Sequence, residues 1–560
     1  MEPSEEAARY PGGEGLSTVG ISKVARGARV VAGATLASRV LGLLRDIVLG
    51  NSFSNQATDA FFVAFTIPNL MRRLIGEGAL TIAFVPIFTE SLGESRERAR
   101  EVFDATWTLG ALAGLVILAL GIPLALPLVE LFAPGFAATP GKLELAAGLL
   151  RWCFPYIFFL VLVAVAMGTL NSVGHFLSPA LAPVLLNLCL ISAAFGFAGA
   201  FEPPVLALGF AVAIAGLLQA LLQWPALARH GFRPRLRLAP GDPAIRNLGS
   251  LMLPAALGAA VYQINLLVTR FLSSFQGDGA VSYLYYASRM VELPLGIFVF
   301  SIGMASLPSF ARLVQSGNQR AVVKTFGASL SLTLALALPS SVGLLLLREP
   351  IFDALFAWNA ELFGPEAVRA SAQALLYYSP GLAAIAVARM YTQICVANQN
   401  TKTPARAALV SLVVNLVAAL ALTAPLAAEL LPGEWFGRGF AALHRALSLT
   451  DLGYAGLAAA TSIAAFVNAG FLMTRARSLY GGLLDAATWR AFGTSALASA
   501  GMAIAVLVLH RILPADGLAK PARVSLLALD VVIGVMVYAG LLYLFRSRDV
   551  RAVAAGMRRS

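Results

Sequence analysis

Eight arginines stand inside stretches of sequence that are otherwise apolar: Arg39, Arg45, Arg72, Arg73, Arg151, Arg270, Arg289 and Arg389. Every basic residue so placed is an arginine. A guanidinium keeps its proton and offers a planar fork of donors that fits two oxygens of a phosphate, whereas an ammonium is a hydrated point charge. Each basic group near the middle of an apolar helix opposes insertion by at least about 2.5 to 3.5 kcal/mol, so such groups normally face a wet cavity, pair with an acid or bind a charged ligand. Arg151, Arg270 and Arg73 lie near span ends and can snorkel outward. Arg39, Arg45, Arg72, Arg289 and Arg389 lie deeper. The chemistry they suit is the grip of a phosphorylated substrate.

The elements that must position them are membrane helices. Hydrophobic residues make up 58% of the 560 and charged ones 12%, with a mean hydropathy of +0.78, against roughly 25% charged in soluble domains. Runs long enough to cross about 30 Å of hydrocarbon at about 1.5 Å per residue recur from end to end. The expected fold is an all-α polytopic membrane protein with fourteen transmembrane helices, near 28–50, 57–90, 104–132, 145–170, 179–200, 205–227, 247–273, 283–312, 322–348, 369–397, 405–430, 453–475, 488–511 and 523–546. The second and eighth are too long for one straight crossing, and Pro68 and Pro294 within them predict kinks that could serve as hinges or gates. Residues 1–23, acidic and Gly-rich, read as a disordered cytoplasmic tail. Residues 547–560 read as a basic one.

With the amino-terminus in the cytoplasm, the inner regions carry 25 Lys and Arg and the outer loops 8, which places both termini inside. The basic runs "ESRERARE" (94–101) and "ARHGFRPRLRL" (228–238) act as orientation signals and attract anionic lipid. The net charge of +12 therefore gives no reason to expect nucleic acid. No GxxxxGK[ST] phosphate cradle is present, so the chain is not itself an ATPase. Cys153, Cys189 and Cys395 sit in apolar spans as small hydrophobes, the four histidines lack metal-ligand spacing, and no cofactor or metal is expected.

At about 100° per residue, Arg39 and Asp46 share one face of the first helix with Gly42 between them, while Arg45 points about 120° away. Arg39 and Asp46 could pair internally, but the acids are too few and scattered to neutralise every arginine locally. A hidden repeat says where the arginines meet. Pro86 and Phe88 recur as Pro308 and Phe310, Ser52 and Phe53 as Ser274 and Phe275, and Pro155 and Pro179 as Pro380 and Pro404. This spacing predicts two six-helix lobes of the same orientation, 24–227 and 247–475, joined by a cytoplasmic linker at 228–246 and followed by two added helices within 476–546. Transporters so built bind substrate between the lobes and rock one against the other. Arg39, Arg45 and Arg72 from the first lobe and Arg289 from the second would line a cationic chamber. Its ligand would be an anion.

At this point the residues carry a family likeness. "ASRVLGLLRD" (37–46) followed by "ATDAFFVAFTIPNLMRRLIGEGALTIAFVPIFTE" (57–90) resembles the signature of the MurJ (MviN) lipid II flippases, within the multidrug/oligosaccharidyl-lipid/polysaccharide exporter superfamily. Fainter echoes in "APGF" (133–136), "FPYI" (154–157), "YYASRMVELPLGIF" (285–298) and "NTKTP" (400–404) extend the resemblance over most of the chain from about residue 24. It implies a bacterial inner-membrane transporter, not an enzyme, that carries lipid II, an undecaprenyl pyrophosphate bearing a disaccharide pentapeptide, from the inner to the outer leaflet by alternating access. Membrane lipids and the cell-wall synthesis machinery would be its partners. The resemblance places Arg39, Arg45, Asp46, Asp59, Arg72 and Arg289 in a central cavity, with Arg45, Arg72 and Arg289 on the head group and pyrophosphate, and gives the last two helices a groove for the lipid tail. Some relatives carry the acids of a sodium site where this chain has Thr269 and Asn400, a departure that puts sodium coupling in doubt.

Plainer roles compete for several of these residues. Asp59, just after "NQAT", could cap the second helix, and Arg289 with Glu292 could form an i,i+3 pair. Glu77, between Gly76 and Gly78, could pair with Arg73 or act as a gate or hinge charge. Residues 427–452 form a long outer loop with room for a short amphipathic helix. An exporter of other polyprenyl-linked glycans would fit the same charges. A drug-cation exporter would want acids in its cavity, and a non-transporting scaffold has no reason to keep deep charges. An inside-negative potential drives anions outward by about 2.3 kcal/mol per charge per 100 mV, which is enough to bias direction.

Overall fold

In a computed structural model of the protein, which describes residues 18–74, 80–431, 433–515 and 517–545, the regular structure is helical throughout. The first set of helices comprises α1 (Thr18–Ser52), α2 (Asn55–Met71), α3 (Leu80–Glu94), α4 (Arg96–Gly121), α5 (Ala125–Phe132), α6 (Lys142–Ser172), α7 (Leu177–Ser192) and α8 (Leu206–Arg229). A second set follows: α9 (Pro243–Ser273), α10 (Ala280–Pro294), α11 (Phe300–Gln315), α12 (Gln319–Leu346), α13 (Arg348–Phe356), α14 (Pro365–Ala397), α15 (Lys402–Ala421), α16 (Glu434–Leu447) and α17 (Tyr454–Tyr480). The chain ends in α18 (Ala486–Ile512) and α19 (Lys520–Leu544). Among the described residues, 11 helical segments are long and apolar enough to cross a membrane. The other three expected spans fall on α1, the α2–α3 pair and α9, which are not among those segments. Helix α1 starts at Thr18, inside the stretch expected to be a tail.

The two sets repeat one order of elements: a long helix, a broken one, another long one, a short surface helix, then further long helices. The breaks fall near the prolines singled out in the sequence. Helix α2 continues past Pro68 to Met71 and passes into a π-helical turn over 72–74, and α10 ends at Pro294 in the π-helical turn Leu295–Val299 that leads into α11. Proline lacks the N–H that its helical partner carbonyl needs, and a wider turn re-pairs the backbone at the cost of a bend. The repeated Phe88 and Phe310 are both fully buried.

Helix α6 forms the centre of the first set, flanked by α2, α4 and α8. A Cβ at Gly209 or Gly216 of α8 would come within 2.8 Å of Trp152 or 2.9 Å of Tyr156 on α6, so bare backbone is what allows this close crossing. Helix α14 has the matching place in the second set, against α12 and α17. Helices α18 and α19 pack on each other and on α12. Helix α9 joins the sets: Leu248 belongs to the core around Phe84 and Phe88, while Asn265 accepts from Asn415 of α15 at 2.7 Å.

The linker between the sets is an extended strap along α4. Arg235 N donates to Asp104 and Arg237 N to the Thr108 hydroxyl, both at 3.0 Å, and Arg98 forks onto Asp242 at 2.6 and 2.7 Å. Asp242 also caps α9, ahead of Pro243. In the long loop expected to hold an amphipathic helix, α16 buries His444 and Ala441 and turns Trp435 and Leu443 outward.

Candidate functional site

The site grows from α1, α7 and α10. Asp46 is fully buried and Arg45 nearly so. Arg45 donates from Nε and Nη2 to Asp46 Oδ1 at 2.9 and 2.6 Å, and from Nη1 to Asn187 of α7 at 3.0 Å. Asn187 is itself fixed by donating to the Ser38 carbonyl. From the second set, α10 brings Tyr285 and Arg289 one turn apart. Arg45 Nη2 and Arg289 Nη2 both donate to the Tyr285 hydroxyl, at 2.9 and 2.7 Å, and Arg289 Nε lies 3.3 Å from Asp46 Oδ2. That last contact is an ion pair without hydrogen-bond alignment, so Asp46 Oδ2 and Arg289 Nε both remain without a hydrogen bond.

Of the four arginines expected to line one chamber, Arg72 turns to Asn69, while Arg45 and Arg289 therefore converge from the two sets. The space between them is filled: the Asp46 carboxylate and the Tyr285 hydroxyl occupy the donors that an anion would take. Closure of the two sets onto each other supplies these internal acceptors, because a buried guanidinium left unpaired is costly. Arg289 also pairs with Glu292 at 2.6 Å, the i,i+3 contact considered above, and that pair leaves Nη2 and Nε for the centre.

Arg39 takes a different partner from the one considered. Asp46 belongs to Arg45 and Arg289, while Arg39 lies flush on the π-helical turn after α10, with Nη1 only 1.2 Å from where a Cβ on Gly296 would sit. Arg270 does not snorkel. It is buried, donates to the Val281 carbonyl at 3.1 Å and stands 5.5 Å from the Tyr285 ring. Around Tyr285, three guanidiniums (Arg45, Arg270, Arg289) thus gather with two carboxylates (Asp46, Glu292). Arg389, half-buried, lies over the Phe300 ring.

Asp59 sits elsewhere. Ser54 caps α2, and Asp59, one turn inside that helix and fully buried, reaches across to the start of α10, where Gly279 N and Ser282 N donate to it at 2.7 and 2.8 Å. Lys142, at the start of α6, donates to Asp59 at 2.9 Å and to Asp278 at 2.6 Å. Nearby, Gly135 N donates to the Ser274 hydroxyl. These contacts close the two sets together at the end that carries α5 and α13. Arg72, half-buried at the end of α2, donates to the Asn69 side chain. Glu77 lies outside the described residues.

Sequence reasoning missed Tyr285, Asn187 and Lys142. Tyr285 had a signal, since it precedes Arg289 by four residues on a helix. Asn187 and Lys142 had none, because their partners are distant in sequence.

A family model described as "Lipid II flippase MurJ" matches residues 50–433. The chain belongs to this family. A probable lipid II flippase MurJ of Bdellovibrio bacteriovorus is 33% identical over 534 residues, covering 95% of this chain and 96% of the relative. The lipid II flippase MurJ of Burkholderia cenocepacia is 36% identical over 391 residues, covering 69% of this chain and 75% of its own. Among solved structures, a lipid II flippase MurJ in an inward closed conformation superposes with a TM-score of 0.73 at 24% identity, covering 92% of this chain and 98% of that one. An inward-facing multidrug transporter of the MATE family gives 0.64 at 16% identity, covering 80% and 95%. In this MurJ-family chain Thr269 bonds its own helix at the Asn265 carbonyl. Asn400 accepts from Thr403 N and donates to the Tyr480 hydroxyl.

Proposed function

We propose that this protein is a lipid II flippase that moves undecaprenyl-pyrophosphate-linked disaccharide pentapeptide from the inner to the outer leaflet of the bacterial cytoplasmic membrane by alternating access. The observation that carries the reading is the meeting of Arg45 and Arg289, from two different sets of helices, on shared acceptors. A diphosphate diester carries two negative charges. It can take over the forked donors that Asp46 and Tyr285 now hold. In this reading the contacts of Asp59 and Lys142 shut one side, and substrate enters from the opposite side, which carries the strap along α4.

In this reading the chain crosses the membrane fourteen times with both termini in the cytoplasm. Residues 24–227 and 247–475 form the rocking lobes, 228–246 the inner linker, and 476–546 the groove for the polyprenyl tail. The protein is a transporter with no catalytic step of its own, and its cargo passes to the cell-wall synthesis machinery outside. The membrane potential supplies about 2.3 kcal/mol per charge per 100 mV toward outward movement.

The test replaces a cell's sole lipid II flippase with this protein or with its Arg45→Ala and Arg289→Ala variants, and measures arrival of precursor at the outer leaflet. Wild type should support translocation and both variants should lose it. Arg→Lys variants should recover only part, since a point charge replaces a fork. Normal translocation by both alanine variants would remove the assigned site.

A further inference from the structure

We propose that Tyr285 is a positioning residue whose hydroxyl aims Arg45 and Arg289 at the two phosphoryl groups of the substrate; this rests on the lipid II reading above. A phenol hydroxyl has two acceptor lone pairs and one proton. Here both lone pairs are taken by guanidinium N–H groups from opposite sets of helices, at 2.9 and 2.7 Å, and the proton is directed at Asp46 Oδ1, 3.4 Å away. One neutral oxygen thereby brings together two cations that would otherwise repel. Both forks face the same point.

The ring is fixed independently of the hydroxyl. It stacks on Phe62 of α2 at 3.8 Å with planes 20° apart. Arg289 lies over its face at 4.7 Å, and Arg270 stands 5.5 Å from its centre. Two cationic groups and one aromatic face hold the ring where both halves meet. An incoming diphosphate competes with a neutral acceptor and a single carboxylate, so it displaces the hydroxyl without meeting arginines that must first be gathered. That is preorganisation, and its loss is felt in binding.

Tyr285→Phe removes the oxygen and keeps the ring, so the fold should stand. Wild type, Tyr285→Phe, Arg45→Ala and Arg289→Ala are purified full length. For each, binding of lipid II, binding of undecaprenyl monophosphate and the thermal midpoint are measured. Tyr285→Phe should bind lipid II about tenfold more weakly, the loss expected for hydrogen bonds to charged groups. Its midpoint should match wild type, and monophosphate binding, which needs one fork, should change less than lipid II binding. Wild-type affinity of Tyr285→Phe, with binding lost in the arginine variants, would overturn the role of the hydroxyl alone. Equal weakening toward both lipids with a lowered midpoint would make the hydroxyl structural and overturn it too. Unchanged lipid II binding in Arg45→Ala and Arg289→Ala would instead remove the substrate reading on which the proposal rests.

Discussion

Ser282 gives Asp59 two hydrogen bonds, one from its backbone nitrogen at 2.8 Å and one from its hydroxyl at 2.7 Å, across the junction of the two helix sets. Gly279, the residue before α10, has no side chain to cap the helix, so a carboxylate from another helix does it and meets the positive end of the helix dipole. Lys142 is the buried counter-charge. Lys142→Ala leaves that carboxylate uncompensated and should weaken closure by about 3 to 5 kcal/mol. Spin labels on the exposed ends of α5 and α13 should report a longer distance in the variant. The added Asp59→Asn change should restore part of the short distance. Identical distances in wild type and Lys142→Ala would refute the latch.

Gly296 gives Arg39 its seat. A methyl group at this position would stand 1.2 Å from Nη1, and the side chain can yield because its far end is flexible. Gly296→Ala should therefore fold normally and lower translocation about tenfold, the scale of one charge-assisted contact. Combining it with Arg39→Ala should add nothing, since both changes empty the same seat. Additive losses in a translocation assay would show that the two residues act separately.

The periodic features of the sequence, its apolar runs and repeated prolines, carried most of the fold. Pro294 was legible because proline changes backbone pairing wherever it stands. Arg45 and Arg289 were legible because a deep charge is costly enough to need a purpose. Apart from Glu292, one turn from Arg289 on the same helix, the partners were not. That Arg39 meets a glycine rather than Asp46 depends on which helix faces α1, and helical spacing within α1 carries no such information. Asp59 looked like a local cap for the same reason. Its position near a helix start was visible, but the helix it caps begins more than two hundred residues later.

Arg98 and Asp242 pin the strap to α4 while Asp242 also caps α9. The Arg98 guanidinium holds the Asp242 carboxyl below the usual carboxylate range. A depressed carboxyl contributes its stability above the ordinary value of about 3.9 and loses it as pH falls through the depressed one. At neutral pH the contribution is complete. Asp242→Asn keeps an acceptor for the cap and loses the charge, which should cost about 1 kcal/mol for this partly exposed pair. Thermal unfolding of Asp242→Asn, Arg98→Gln and the double variant should show the second change costing little once the first is made. Fully additive costs would mean that the ion pair contributes nothing.

His444 faces the connection after α15, and its protonation should loosen α16. Its Nδ1 accepts from Leu426 N at 3.2 Å, so the ring proton sits on Nε2, which lies 3.3 Å from the Thr423 carbonyl. Burial lowers its proton affinity below the ordinary histidine value. As pH falls below about 6.5, the undocked segment binds a proton that the docked one resists, so docking is strongest above that value and weakens through the acid side. A proton on Nδ1 would also set two donors against each other at Leu426. Amide exchange over residues 423–449, corrected for intrinsic rate, should rise between about pH 7.5 and pH 5.5, with α6 as an unchanged internal control. His444→Gln should flatten this dependence, because its amide oxygen can accept from Leu426 without titrating. Equal protection of the loop at both pH values in wild type would show that the ring stays neutral throughout and plays no part in docking.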